Sequence, residues 1–165
     1  MAFENPSADE MRALLLRART IAMVGLSPRP DRPSYRIARR LKDWGYRVMP
    51  VRPTLDAVLG EKAYARLADL PEKPDLVNVF RSAPQVGPIV EQCIALGLPA
   101  IWIQEGIVNE PAAARARAAG MFVAMNRCIS VEGRRLDIAA RRRAAEVEAS
   151  GATHDAPSGE ARNAT

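Results

Sequence analysis

The residues with the clearest chemical potential lie where an apolar segment, residues 20–26, runs into a proline-rich loop that ends at Ser34. Gly25 allows the chain to turn without a Cβ, and the helix that follows directs free N–H groups and its positive dipole end at the loop. Such a junction binds phosphate. The loop lacks two of the three glycines of a G-x-G-x-x-G fingerprint and has no Gly-Lys-Ser/Thr of a P-loop. The sequence therefore predicts a phosphate site without specifying the phosphate compound.

The residue that follows the second apolar segment, residues 47–51, distinguishes between the classes of nucleotide that such a site can bind. An NAD site usually has a carboxylate at this position to hold the ribose hydroxyls, whereas this chain has Arg52. An arginine suits a ribose that carries a phosphate, at the 2′ position in NADP or at the 3′ position in coenzyme A. A solvated arginine without a ligand is the structural alternative.

The elements that must position these residues alternate along the chain. Apolar periodicity and capping residues predict helices over 7–17, 34–44, 83–96 and 110–119, strands over 20–26, 47–51, 75–80, 100–103 and 122–125, and a short edge element near residues 63–64. Such an alternation predicts an α/β fold: a Rossmann-like, doubly wound parallel sheet of five to six strands in three layers. We expect one domain over 1–143, with its core at 20–136, and a disordered tail over 144–165.

Composition narrows the function classes. The 165 residues carry a net charge of +5 but only 5% aromatic residues, and the basic residues fall near strand ends, which favours a polyphosphate ligand over nucleic acid. No signal peptide or membrane span is evident, so we expect a soluble cytoplasmic protein. Cys93 and Cys128 have no metal or disulfide spacing, and His154 lies in a polar tail. Metal sites and histidine-based catalysis are therefore not expected.

Several separated motifs together resemble a known family, the small bacterial and archaeal CoA-binding proteins of the YccU type. These are related to the CoA-binding domain of the succinyl-CoA synthetase alpha subunit. The resemblance covers about residues 20–136 and rests on Val24-Gly-Leu-Ser27, Arg32-Pro-Ser34, Gly45-Tyr-Arg-Val48, Val51-Arg-Pro53, Asp75-Leu-Val-Asn-Val-Phe-Arg81, Trp102-Ile-Gln-Glu-Gly-Ile107 and Asn126-Arg-Cys128. The family usually has Asn in place of Arg52 and Asp in place of Asn126.

The resemblance implies coenzyme A binding, with the pyrophosphate at the first loop, the adenosine over the turn after Val51, and the pantetheine arm along later strand ends. The implied ligand-binding residues are Gly25, Leu26, Ser27, Arg32, Pro33, Ser34, Arg52, Pro53, Phe80, Arg81, Gln104, Gly106, Ile107, Arg127 and Cys128. Each alone has a structural alternative, since glycines serve turns and a serine such as Ser34 can cap a helix. Synthetase activity does not carry over, because that enzyme needs a phosphorylated histidine and a partner subunit.

We therefore expect a protein that binds coenzyme A or an acyl-CoA and has no catalytic activity of its own. Two alternatives stay open: an NADP-binding oxidoreductase, and a ligand-sensing protein that regulates or contacts a partner. The sequence has no Tyr-Lys pair or histidine at a strand end to serve as the proton donor that the oxidoreductase alternative requires. No nucleic-acid or membrane partner is expected, and neither the protein partner nor the oligomeric state follows from the sequence.

Overall fold

Five parallel strands form the centre of the fold in the computed structural model, which describes residues 2–152. The described residues contain seven strands: β1 (Thr20–Val24), β2 (Arg47–Val51), β3 (Ala57–Val58), β4 (Glu61–Lys62), β5 (Leu76–Val79), β6 (Ala100–Ile103) and β7 (Phe122–Met125). The large sheet has the order β2-β1-β5-β6-β7, and β3 and β4 form a separate antiparallel hairpin. The strand order reverses between β1 and β5, the position at which open α/β sheets bind ligands.

Helices cover both faces of the sheet. They are α1 (Ala8–Arg17), α2 (Pro33–Asp43), α3 (Ala83–Ala95), α4 (Glu110–Ala118), α5 (Ile129–Arg135) and α6 (Ile138–Ala152). One buried cluster joins α1, α2, α5 and α6 to the sheet face that carries Met23 and Trp102. The other joins α3 and α4 to the face that carries Val24 and Ile103. The predicted three-layer, Rossmann-like architecture is confirmed.

Local signals in the sequence account for the element boundaries. Ser7 and Glu10 form a capping box at the start of α1, and the Asn109 side chain accepts a hydrogen bond from the Ala112 N–H at the start of α4. The predicted edge element is present as a single parallel bridge between Tyr64 and Val51. None of the helices within residues 2–152 is long and apolar enough to cross a membrane.

The end of the chain departs from the prediction. Residues 144–152 were expected in a disordered tail but continue α6, and the sequence patterns missed both α5 and α6. The side chains of α6 lack apolar periodicity, and Ile138 is its one buried residue. Arg142 attaches the helix by donating to main-chain oxygens at the ends of α1 and α2, a contact that no periodicity reveals. The rest of the predicted tail, with His154, lies outside the described residues.

Tyr46 lies beside Arg142 of α6 and links α1 to the start of β2. Its side chain is buried, its hydroxyl donates to the Leu15 carbonyl, and the Arg142 guanidinium lies 3.9 Å from the ring centroid. Burial raises the pKa of Tyr46 to about 12, because the phenolate form would lose its hydration. Burial also raises the pKa of the Cys93 thiol to about 12.

We expect the protein to lose stability between about pH 10 and pH 12. In the unfolded chain this tyrosine ionises near pH 10, while Tyr46 in the folded protein stays neutral up to about pH 12. Deprotonation therefore stabilises the unfolded state relative to the folded state in this range. The Tyr46 contribution is complete below pH 10 and falls by on the order of 2–3 kcal/mol as the pH rises through 12. Urea unfolding at a series of pH values measures the effect. Tyr46→Phe should show a shallower loss, with the Cys93 part remaining, and an unchanged slope would contradict the assignment.

Candidate functional site

The loop between β1 and α2 lies at the carboxyl edge of the sheet, beside the reversal point. Gly25 has φ +86°, and its N–H donates to the Val51 carbonyl at 3.0 Å. A Cβ built on Gly25 would lie 2.6 Å from the Phe80 carbonyl oxygen. The loops after β1 and β5 therefore approach so closely that only glycine fits between them. The Ser34 hydroxyl accepts from the Ser27 N–H at 3.0 Å, which holds the loop against the first turn of α2.

A basic pocket of about 450 Å³ opens above this loop on the α2 side of the sheet. It is lined by Gly25, Ser27, Arg29, Arg32, Pro33, Ser34, Arg52 and Phe80. The Nη1 atom of Arg52 donates to the Leu26 carbonyl at 3.4 Å, so this side chain leans from the end of β2 toward the loop. Three arginines and the amino end of α2 surround one cavity, which favours an anionic ligand.

An apolar pocket of about 370 Å³ lies on the opposite side of Gly25, between the end of β2 and α3. Its walls include Val24, Val51, Pro53, Ala65, Leu67, Pro84, Pro88 and Ile89, with Arg66 and Arg81 also in the lining. Arg66 is held by two hydrogen bonds to the Asp69 carboxylate, which lowers the pKa of Asp69. Because both linings include Gly25, a cavity that favours anions and an apolar cavity lie next to each other.

The loops after β6 and β7 complete this edge of the sheet. Asn126, at φ +55°, accepts from the Gly106 N–H at 2.8 Å through its side-chain oxygen. The Trp102 indole donates to the Arg127 carbonyl at 2.9 Å. These bonds fix the two loops relative to each other, and Cys128 follows them, half-buried at the start of α5.

The structure divides the predicted ligand-binding residues into groups. The basic pocket contains Gly25, Ser27, Arg32, Pro33, Ser34, Arg52 and Phe80, and the apolar pocket contains Gly25, Pro53 and Arg81. The side chain of Leu26 is buried in the core, so only its main chain faces the loop. Ile107 packs on the α3–α4 core.

Arg127 lines neither pocket. It borders a third cavity, of about 650 Å³, together with residues of the amino-terminal segment such as Glu4 and with Arg135 of α5. Gln104 follows β6 and is 3% exposed, so only a small part of its side chain reaches the surface at this edge.

Sequence reasoning missed several residues at this edge. Arg29 belongs to the basic pocket, and Pro84, Pro88 and Ile89 form the α3 wall of the apolar pocket. The proline at the start of α3 was an available signal, because it marks a helix that begins directly after the strand-end residues Phe80 and Arg81. Asn78 was a second signal: it is the one polar residue of the buried strand β5, and a buried polar side chain indicates a polar partner near this edge.

Fold and pockets together define a class: a Rossmann-like nucleotide-binding domain whose ligand edge joins an anion pocket to an apolar pocket. Comparison with known families narrows the class. The family model described as CoA binding domain matches residues 19–134, and the chain belongs to that family.

Relatives of two kinds share this domain. The uncharacterized protein YneT of Bacillus subtilis is 41% identical over 128 residues, which are 78% of this chain and 95% of YneT. The solved structure of a hypothetical protein from Pyrococcus horikoshii matches with a TM-score of 0.77 at 34% identity, covering 82% of this chain and 99% of that protein. The ADP-forming acetate-CoA ligase II of Archaeoglobus fulgidus is 26% identical over 99 residues, 58% of this chain but only 15% of the ligase.

Proposed function

We propose that this protein binds coenzyme A, free or acylated, at the carboxyl edge of its sheet and performs no chemistry on it. The observation that carries the proposal is the adjacency of the basic and apolar pockets around Gly25. The diphosphate would occupy the basic pocket, against the amino end of α2, and the adenine ring would occupy the apolar pocket beside Pro53. The pantetheine arm would then run past Phe80 toward Gln104 and Gly106.

Family membership and the size of the shared region support this proposal. The ligase relative is named for a reaction of coenzyme A, yet this chain corresponds to only 15% of that enzyme. A relative of nearly the same length, YneT, matches over 95% of its own chain. A chain that matches YneT over nearly the whole length of that protein fits the role of a carrier, a buffer or a ligand-dependent partner of another protein.

A ligand panel tests the proposal against NADP binding, which Arg52 would also suit. Coenzyme A, acetyl-CoA, NADP and NAD are each added in a thermal-shift experiment. A ligand at about 100 times its dissociation constant adds about 2.7 kcal/mol to the free energy of unfolding. Stabilisation by coenzyme A but not by NAD or NADP is expected. Stabilisation by NADP alone would replace the proposal with the oxidoreductase alternative.

Arg52 should distinguish coenzyme A from dephospho-CoA. Its side chain enters the basic pocket, and a charge-assisted contact to the 3′-phosphate would contribute on the order of 1.5–3 kcal/mol. We expect the wild type to bind coenzyme A about 10- to 100-fold more tightly than dephospho-CoA, and Arg52→Ala to remove most of that difference. Isothermal titration calorimetry measures both affinities.

Arg39→Ala is the matched control, because it removes the same charge from an exposed position of α2. It should leave the ratio of the two affinities close to that of the wild type. An equal fall in both affinities for Arg52→Ala would place this arginine on the diphosphate instead, and equal wild-type affinities would remove the 3′-phosphate assignment.

A further inference from the structure

Three buried side chains form a polar relay across neighbouring strands beneath the ligand edge. Met23 of β1 and Asn78 of β5 are paired in the sheet register, and both are fully buried. The Asn78 amide nitrogen donates to the Met23 sulfur at 3.2 Å. The Asn78 oxygen accepts from Nε2 of Gln104 at 2.6 Å. The relay therefore runs from the middle of the sheet to the first residue after β6.

The methionine sulfur sets the direction of these hydrogen bonds. A thioether can accept but cannot donate, so the Asn78 amide directs its NH₂ group toward Met23 and its oxygen toward Gln104. An oxygen at that position can only accept, so it takes the NH₂ group of Gln104. The opposite orientation would place the Asn78 oxygen against the sulfur, two acceptors in contact within the core. Gln104 is therefore left with its oxygen, Oε1, as the free end.

Gln104 directly follows β6 at the carboxyl edge of the sheet, and its Oε1 oxygen is the end of the side chain that the relay leaves unpaired. This oxygen accepts no hydrogen bond from any residue that the structure describes. It is not fully buried, so a donor from outside the protein can reach it. The backbone N–H of Gln104 bonds the Val79 carbonyl at 3.3 Å, which holds the residue beside the end of β5. Neighbouring strands are about 4.8 Å apart, so Gln104 lies about 10 Å from Gly25 along the edge.

We propose that Met23 and Asn78 are positioning residues that hold Gln104 as a hydrogen-bond acceptor for an amide N–H in the arm of the ligand. This inference rests on the proposed function, since it takes coenzyme A as the ligand. The arm leaves the diphosphate in the basic pocket and passes Phe80, which lies between Gly25 and Gln104 in the strand order. Its amide groups carry N–H donors that match a fixed acceptor, whereas a ligand offering only acceptors at this point is disfavoured.

Calorimetry with two probes tests the proposal. Coenzyme A carries the arm, and 3′-phosphoadenosine 5′-diphosphate carries the same phosphates without it. For Gln104→Leu we expect about tenfold weaker binding of coenzyme A, as for loss of one buried hydrogen bond, and unchanged binding of the short probe. Met23→Leu retains the size of the side chain but removes the acceptor that orients the relay, and should weaken coenzyme A binding about two- to fivefold. Met121→Leu is the matched control: a buried methionine on the opposite face whose sulfur bonds no described residue.

The two probes separate the possible results. Loss confined to coenzyme A in Gln104→Leu and Met23→Leu, with Met121→Leu unchanged, supports the relay. Equal losses for both probes would show a structural effect on the whole pocket and overturn it, as would wild-type affinity in both variants. If the wild type binds coenzyme A no more tightly than 3′-phosphoadenosine 5′-diphosphate, the arm contributes no affinity. The inference then fails, but the proposed phosphate site is still supported. If the wild type binds neither probe, the proposed function fails first.

Discussion

We expect Gly25→Val to abolish coenzyme A binding and to lower the free energy of unfolding. At φ +86° a β-branched residue is strained by about 1–3 kcal/mol. In addition, the new Cβ would lie 2.6 Å from the Phe80 carbonyl oxygen and 2.8 Å from the Arg81 Cδ. The main-chain oxygen cannot move without shifting the end of β5, so the loops after β1 and β5 must separate. Because Gly25 borders both pockets, that movement would separate the diphosphate site from the adenine site.

Gly120→Val provides the matched control. Gly120 has nearly the same backbone conformation, at φ +88°, but a Cβ there would meet nothing within 4 Å. It follows α4, away from both pockets, and the same substitution there carries the conformational strain without the steric conflict. Urea unfolding and calorimetry on both variants separate the two effects. Gly25→Val should lose clearly more stability than Gly120→Val, and binding should be lost only in the former. Wild-type affinity in Gly25→Val would mean that the phosphate site has been misplaced.

The second large effect is expected at Arg142, which attaches α6 to the domain. Its guanidinium donates to the carbonyls of Ala18 at 2.9 Å and Trp44 at 3.0 Å, with longer bonds to Leu15 at 3.5 Å and Gly45 at 3.4 Å. These carbonyls lie at the ends of α1 and α2, where helices leave acceptors without a main-chain partner. The same group packs over the Tyr46 ring. The Arg142 side chain therefore caps the carboxyl ends of α1 and α2 and connects α6 to both.

For Arg142→Ala we expect a loss of about 2–4 kcal/mol in the free energy of unfolding, from charge-assisted hydrogen bonds and the cation–π contact. Arg142→Lys should recover only part of it, because an ammonium group cannot reproduce the planar fork. Arg143→Ala removes the same charge from the exposed neighbouring position and should change stability by less than about 0.5 kcal/mol. Chemical denaturation measures all three. A loss for Arg143→Ala equal to that for Arg142→Ala would attribute the effect to net charge.

Coenzyme A affinity should be unchanged in folded Arg142→Ala protein. The Arg142 contacts are to residues at the amino edge of the sheet, before β1 and β2, whereas both pockets lie at the carboxyl edge. The Gly25 and Arg142 variants therefore separate stability from binding. Weaker coenzyme A binding in Arg142→Ala, measured well below its unfolding midpoint, would show that the two edges are coupled.

Local patterns in the sequence were sufficient for the central sheet and the first four helices. The strands of a sheet covered on both faces are continuous apolar runs, and each run here lies between a helix with apolar periodicity and a turn residue. Burial and capping act over a few residues, so the order of the five strands of the large sheet and of α1 to α4 was predictable, whereas the short β3–β4 hairpin was not predicted. Position in such a fold then placed Gly25, Ser34 and Arg52 at one edge, because the carboxyl ends of parallel strands lie together.

Contacts between residues far apart in sequence required the tertiary structure. Helix α6 shows no apolar face to a periodicity argument, and its attachment through Arg142 spans 98 residues to Trp44. Arg52 and Pro53 are adjacent in sequence but line different pockets, the basic and the apolar one, which both border Gly25. The orientation of Gln104 depends on a sulfur atom two strands away. Sequence patterns report which residues are buried along one element, whereas the direction of a side chain and its partner are determined only when the elements pack together.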